Sequence, residues 1–126
     1  MDINIPEVLE EVTRAFERYE SALGSNDIAT LNELFWANSL TIRYGIGEEL
    51  YGHDAIAAYR NRRDPADLAR TLTRIVITTF GRDFATANCE YRRVRSGQRG
   101  RQSQSWVRTP AGWRIVSAHV SMSTAS

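Results

Sequence analysis

Apolar residues in the first part of the chain recur every three or four positions. Val8, Leu9, Val12, Phe16, Tyr19 and Leu23 fall on one face of a 3.6-residue period, so the spacing predicts an amphipathic helix over Pro6–Leu23. Asn4 is placed to cap it, Pro6 suits its first turn and Gly24 the position past its end. A second helix is expected from about Asp27, with Ile28, Leu31, Leu34 and Phe35 as its apolar face. At Leu40–Tyr44 the period drops to two. Leu40, Ile42 and Tyr44 point one way and Thr41 and Arg43 the other, as in a strand. Gly45 and Gly47 then turn the chain, and Glu49–Tyr51 suits a short return strand. Asp54 is placed to cap a third helix that runs to about Arg63 and stops before Pro65.

The second half of the chain reads differently. Leu72–Phe80 is rich in Thr, Ile and Val; Gly81-Arg82-Asp83 turns it into Phe84–Val94, Ser96–Gly100 turns it again into Arg101–Arg108, and Thr109–Gly112 leads into Trp113–Met122. Four strands joined by short turns predict an antiparallel meander. Helices first and strands afterwards predict an α+β domain, with the helices packed on a curved antiparallel sheet around a pocket. The 126 residues fit one domain, 1–126, and no repeat or linker divides them.

Composition narrows the function classes. A net charge of +1 argues against a general binder of nucleic acid or membrane surfaces. No stretch approaches the roughly 18 apolar residues of a membrane span, and Met1–Asn4 lacks the charged start of a secretory signal. Cys89 is the single cysteine, which excludes an internal disulfide and points to a soluble protein of the reducing cytoplasm. All 16 basic residues are arginine, so lysine Schiff-base chemistry is closed to this chain. His53 and His119, the two histidines, show no metal-ligand spacing, and no phosphate-cradling glycine loop opens a helix after a strand. Neither a metal nor a cofactor is therefore expected.

Chemistry has to come from a few polar side chains. Arg43 faces away from Ile42 and Tyr44; it either reaches solvent in an ordinary ion pair or points into an enclosed concavity, where its planar fork would suit a carboxylate. Tyr19 lies on the apolar face of the first helix, so its ring should be buried, its hydroxyl either a structural hydrogen-bonding group or an acid facing the pocket. Continuous alternation in the last strand would put Trp113, Ile115, Ser117, His119 and Ser121 on one face. Ser103 and Ser105 alternate with Gln102, Gln104 and Trp106 in the strand before it. So many hydrogen-bonding groups in a small sheet suit a polar-walled pocket. Arg92, Arg93, Arg95, Arg99 and Arg101 gather at one hairpin and read as a solvated tip.

Several segments taken in order, among them Tyr19–Leu23, Thr41–Gly45, Ile77–Gly81, Gly100–Gln104 and Ala118–Ser121, resemble the AtzH-like family, and within it the HpxZ type associated with oxalurate catabolism. The resemblance implies the cone-shaped fold of the nuclear-transport-factor-2 and ketosteroid-isomerase superfamily, usually dimeric through the sheet. It further implies a metal-free, decarboxylating amidohydrolase of ureide and purine nitrogen catabolism, acting on a small carboxylated urea such as oxalurate or allophanate. The family's catalytic pair would fall at Tyr19, supplying a proton, and Arg43, clamping a carboxylate without full neutralisation by an acid side chain. Trp36, Ser103, Ser105 and His119 are expected to bind and orient the substrate. The alternative is a non-catalytic accessory protein that binds the metabolite or a partner amidase. Either way a homodimer is expected across the outer face of the sheet, with Arg93 and Arg108 among the residues there.

Overall fold

In the computed structural model, which describes residues 1–124, the N-terminal apolar stripe forms helix α1 (Pro6–Gly24) with Val8, Val12, Phe16, Tyr19 and Leu23 buried. Both of its ends differ from expectation. Asn4 does not cap the helix; at φ 57° it accepts the Thr79 N–H on Oδ1 at 2.8 Å and donates its own N–H to Thr79 O at 3.1 Å, tying the N-terminus to the sheet. Gly24 is the last helical residue, and Ser25 follows as the cap. Helix α2 (Ile28–Leu34) is capped by Asp27, whose carboxylate accepts the Thr30 N–H at 3.2 Å and its hydroxyl at 2.7 Å. Helix α3 (His53–Arg62) follows Gly52 at φ 90° and has no side-chain cap; Asp54 sits inside its first turn. None of these helices is long and apolar enough to cross a membrane.

Six strands follow the expected segments closely: β1 (Ile42–Tyr44), β2 (Glu49–Tyr51), β3 (Arg70–Phe80), β4 (Phe84–Arg93), β5 (Arg99–Thr109) and β6 (Gly112–Met122). Leu40, expected in the first strand, lies in the turn before it and is exposed. The order across the sheet is β2-β1-β6-β5-β4-β3. β1 runs parallel to β6, with Arg43 opposite Ala118, and every other pairing is antiparallel. The curved sheet is therefore mixed rather than wholly antiparallel. The chain leaving α2 sets that direction. Phe35 makes a parallel bridge to Ile115, and the Trp36 N–H donates to Ile115 O at 2.9 Å, so the chain is already aligned with β6 when it reaches β1.

The three helices cover one face of this sheet and enclose the core. Phe16, Leu31, Leu34, Phe35 and Ile56 from the helical side meet Ala85, Ala87, Trp106 and Ile115 from the strands. Two bulges interrupt the ladder. In β3, Thr73 faces Glu90 while Val76 faces Asn88, so one residue is extra, and Arg74 takes φ 51° there. In β6, Ser117 faces Ser105 while Ile115 faces Trp106, which leaves Val116 extra.

The second bulge overturns the expected strand parity. Trp113 and Ile115 are buried on the inner face, but beyond Val116 the inner positions become Ala118 and Val120. Ser117 and His119 are turned outward and exposed, as is their cross-strand neighbour Ser103, while Ser105 is half-buried on the same side. An extra residue in a period-2 strand exchanges the faces of everything after it.

Candidate functional site

Beneath α1 lies a cavity of about 40 Å³ lined by five of the six strands. Tyr19 and Leu23 reach it from α1, Arg43 from β1, Arg70 from β3, Arg93 from β4, Gln102 from β5 and Val120 from β6. Arg63 and Leu68 enter from the segment that follows α3. Four of its nine lining residues are arginines.

Each arginine is held differently. Arg43 is 8% exposed, and its Nη1 donates to Glu48 Oε1 at 2.8 Å, so the expectation of a guanidinium without a neutralising acid fails. The cause is the turn between β1 and β2. The Gly45 N–H donates to Glu48 O at 2.9 Å, the Gly47 N–H donates to Glu48 Oε2 at 3.1 Å, and a Cβ on Gly45 would overlap the Glu48 carboxylate. Only glycine there lets Glu48 fold back onto Arg43.

Arg70 presents its Nε and Nη2 edge to Glu20, at 3.1 and 2.6 Å, and donates to Gln102 Oε1 at 2.7 Å. Burial opposes its charge, but the hydrogen bonds and charge of Glu20 outweigh it, so Arg70 is held above the ordinary arginine range. Arg93 donates to Asp67 O at 2.9 Å and lies 3.9 Å from Asp67 Oδ2. It points inward, not to the outer face where the homodimer expectation placed it.

Arg63 has none of this support. Its Nε and Nη2 are buried without a hydrogen-bond partner. Burial, then the Arg43 charge, push Arg63 below the ordinary range, with Tyr19 and Tyr59 opposing. Arg60, one turn of α3 earlier, is 2% exposed and stacks on Phe35 at 4.4 Å. Its Nη1 donates to Asn32 Oδ1 at 2.9 Å, its Nη2 is unpartnered, and burial lowers it to about 10.

Tyr19 completes the wall. Its ring is buried 6.1 Å from that of Phe35, and its hydroxyl has no hydrogen-bond partner among the described residues. A phenol opening into a pocket lined by guanidinium groups can give or take a proton beside an anion that they hold.

The structure thus brings Tyr19 and Arg43 together and leaves the other four predicted residues elsewhere. Trp36 lies in a separate groove of about 640 Å³ with Phe35, His53 and Arg114. His119 stands on the outer face, its ring 5.6 Å from Tyr44 and edge-on to it, in a groove of about 480 Å³ that also holds Glu48 and Tyr51. Ser103 and Ser105 share the outer face with it. Arg63, Arg70 and Arg93 were missed. Asn61-Arg62-Arg63-Asp64 reads as a hydrated helix end, and only the return of the chain beneath α1 carries Arg63 inward. Among the described residues no three His, Cys, Asp or Glu side chains gather to hold a metal.

Three helices on a curved six-stranded mixed sheet, with a pocket between, define a member of the nuclear-transport-factor-2-like superfamily, known also as a cystatin-like fold. A family model narrows this: it matches residues 1–126, and the chain belongs to the AtzH-like family. Among solved structures, a Pectobacterium atrosepticum protein of unknown function is 53% identical over 98% of this chain and 96% of its own, with a TM-score of 0.95. A cystatin-like fold protein from Burkholderia xenovorans is 47% identical over 97% and 96%, with a TM-score of 0.92. A nuclear-transport-factor-2-like protein from Salmonella enterica is 25% identical over 95% and 94%, with a TM-score of 0.76. No curated protein matches the sequence.

Proposed function

We propose that this chain is a cytoplasmic enzyme of ureide nitrogen catabolism, of the HpxZ type: a decarboxylating amidohydrolase acting on a small carboxylated urea such as oxalurate or allophanate. The observation that carries this reading is the meeting of the unbonded Tyr19 hydroxyl with Arg43 in one buried cavity walled by further arginines. Guanidinium groups in a desolvated pocket favour a carboxylate, and a phenol beside them is placed to protonate a departing nitrogen. For an N-carboxylated urea the step balances simply. The bond between nitrogen and the carboxyl carbon breaks, its electron pair stays on nitrogen, Tyr19 gives that nitrogen its proton, and carbon dioxide leaves. Solvent then returns a proton to the phenolate.

The test is turnover by the purified protein alone. Allophanate should release carbon dioxide and leave urea by the step above. Oxalurate, which has no bond between nitrogen and a carboxyl carbon, should release carbon dioxide and ammonia only if water first cleaves its ureido end to leave oxamate. Tyr19→Phe is expected to bind substrate as wild type does and to lose most of the turnover, because only the proton-carrying oxygen is removed. Arg43→Gln, which removes a positive charge from the cavity wall, should weaken binding by about 1–4 kcal/mol, the Coulomb scale of a charge a few ångströms away. Undiminished turnover in Tyr19→Phe would refute the acid role. Binding without turnover by wild type, or turnover that starts only when an amidase is added, would establish the accessory role instead.

A further inference from the structure

The four arginines of the cavity differ in one respect that the proposed chemistry does not use. Arg43 is engaged by Glu48, Arg70 by Glu20 and Arg93 by Asp67. For Arg63 no carboxylate lies within ion-pair distance among the described residues, although it follows directly from α3 and turns back into the same cavity. The two nitrogens left without partners are Nε and Nη2. Those two N–H groups lie on one edge of the guanidinium and match the two oxygens of a carboxylate. Arg70 shows what that edge does in this cavity, since it holds Glu20 through the same two atoms at 3.1 and 2.6 Å. Arg63 presents the same edge to the cavity, and no oxygen of the described residues bonds to it.

We infer that Arg63 is the residue that takes the carboxylate of the ligand, through its Nε and Nη2 edge, and that Arg43 is held by Glu48 as a supporting charge. A buried guanidinium with unpaired donors loses hydration without recovering hydrogen bonds. A small planar carboxylate restores both, whereas a neutral amide of the same shape restores neither charge nor fork. At about 40 Å³ the cavity takes the carboxylate end of a ligand or a few waters, and the fork favours an anion there. This inference rests on the proposal that the cavity is the substrate site, but it concerns binding rather than turnover.

Oxamate, a small carboxylate carrying one amide, is the probe, and oxamide is its neutral counterpart. Calorimetry should show wild type binding oxamate more than tenfold tighter than oxamide. Arg63→Gln should lose more than tenfold in oxamate affinity. Arg63→Lys should lose affinity as well, because a single ammonium cannot fill the fork, while Arg62→Gln, a change at the exposed neighbour, should bind as wild type does. Should the Arg63 variants fail to fold, the Arg63 Nε–H resonance of wild type gives a second readout and should move on addition of oxamate. Equal affinity in Arg63→Gln, or an unmoved resonance in a protein that does bind oxamate, overturns the inference. So does a wild type that binds oxamide as well as oxamate. Lost affinity in Arg63→Gln alongside a wild type inert toward every ureide keeps the inference and removes the proposed activity. Unchanged affinity alongside an active wild type does the reverse.

Discussion

Cys89 shows how the site reaches groups that take no part in it. The thiol is buried on β4, and burial, opposed by the Arg70 charge and reinforced by Glu20, pushes it up to about 11 from its ordinary value near 9.0. An acid with a raised value in the folded state stays neutral there after the unfolded chain has ionised. Its contribution to stability is therefore complete below pH 9 and is lost as the pH climbs through about 11. Urea unfolding at pH 8 and pH 10.5 should show wild type losing on the order of 1–2 kcal/mol more than Cys89→Ala across that interval. Parallel losses in the two proteins would mean that the thiol is not held neutral. Of the residues that line the cavity, Tyr19 and Arg43 were placed by pattern only as far as a buried ring and a guanidinium that reaches either solvent or an enclosed pocket, and it is the family resemblance that paired them. Tyr19 lies on a helical stripe of period 3.6, and Arg43 alternates with two apolar neighbours. Arg63 was not legible, because nothing in a local run of charged residues tells which one the chain will fold under a helix.

At the scale of elements, helices and strands followed their periodicities, and Ser117 and His119 were misplaced because the ladder takes an extra residue before them. Val116 carries no glycine, proline or turn residue to announce a bulge, so continuous alternation put Ser117 and His119 on the inner face, where Ala118 and Val120 in fact lie. The bulge in β3 is equally silent. Arg74 occupies the left-handed region at φ 51° with its side chain largely in solvent, 3.8 Å from Glu90. An exposed pair at that distance contributes little, whereas a side chain in that backbone conformation costs about 1 kcal/mol. Arg74→Gly should accordingly be neutral or stabilising by up to about 1 kcal/mol, read from the denaturation midpoint at constant slope. A destabilisation beyond that size would show that the Arg74 side chain, and not the geometry of the bulge, holds the strand.

For the whole molecule, the helices cover one face of the sheet and leave the other bare. Phe84 and Val76 stand on or beside that face among Ser103, Asn88, Glu90, Arg92 and Arg101, a mixed surface of the sort that associates without being oily. We propose a homodimer through it. Light scattering at micromolar concentration should give twice the chain mass of 14.3 kDa, and Phe84→Asp should halve the result. A wild type that scatters as a single chain would dismiss the proposal. Fold class was legible at this scale from the order of elements. The parallel seam between β1 and β6 was not, since it joins residues 42–44 to 117–119 and no local pattern encodes so distant a pairing.

That seam bears on how a ligand gets in. β1 is three residues long, carries Arg43, has the equally short edge strand β2 on one side, and joins the rest of the sheet only through three residues of β6. β4 and β5 are three times that length and paired along both edges. Stretches with few cross-links open on their own at a fraction of the free energy of global unfolding. The β1–β2 hairpin should therefore breathe, lifting Glu48 away and widening a cavity that is nearly closed at rest, while the meander stays intact. Native-state hydrogen exchange would record this as backbone amides of Ile42–Tyr44 exchanging orders of magnitude faster than those of β4 and β5, through an opening nearly indifferent to denaturant. Exchange as slow as that of the meander would mean that the cavity opens only when the protein unfolds.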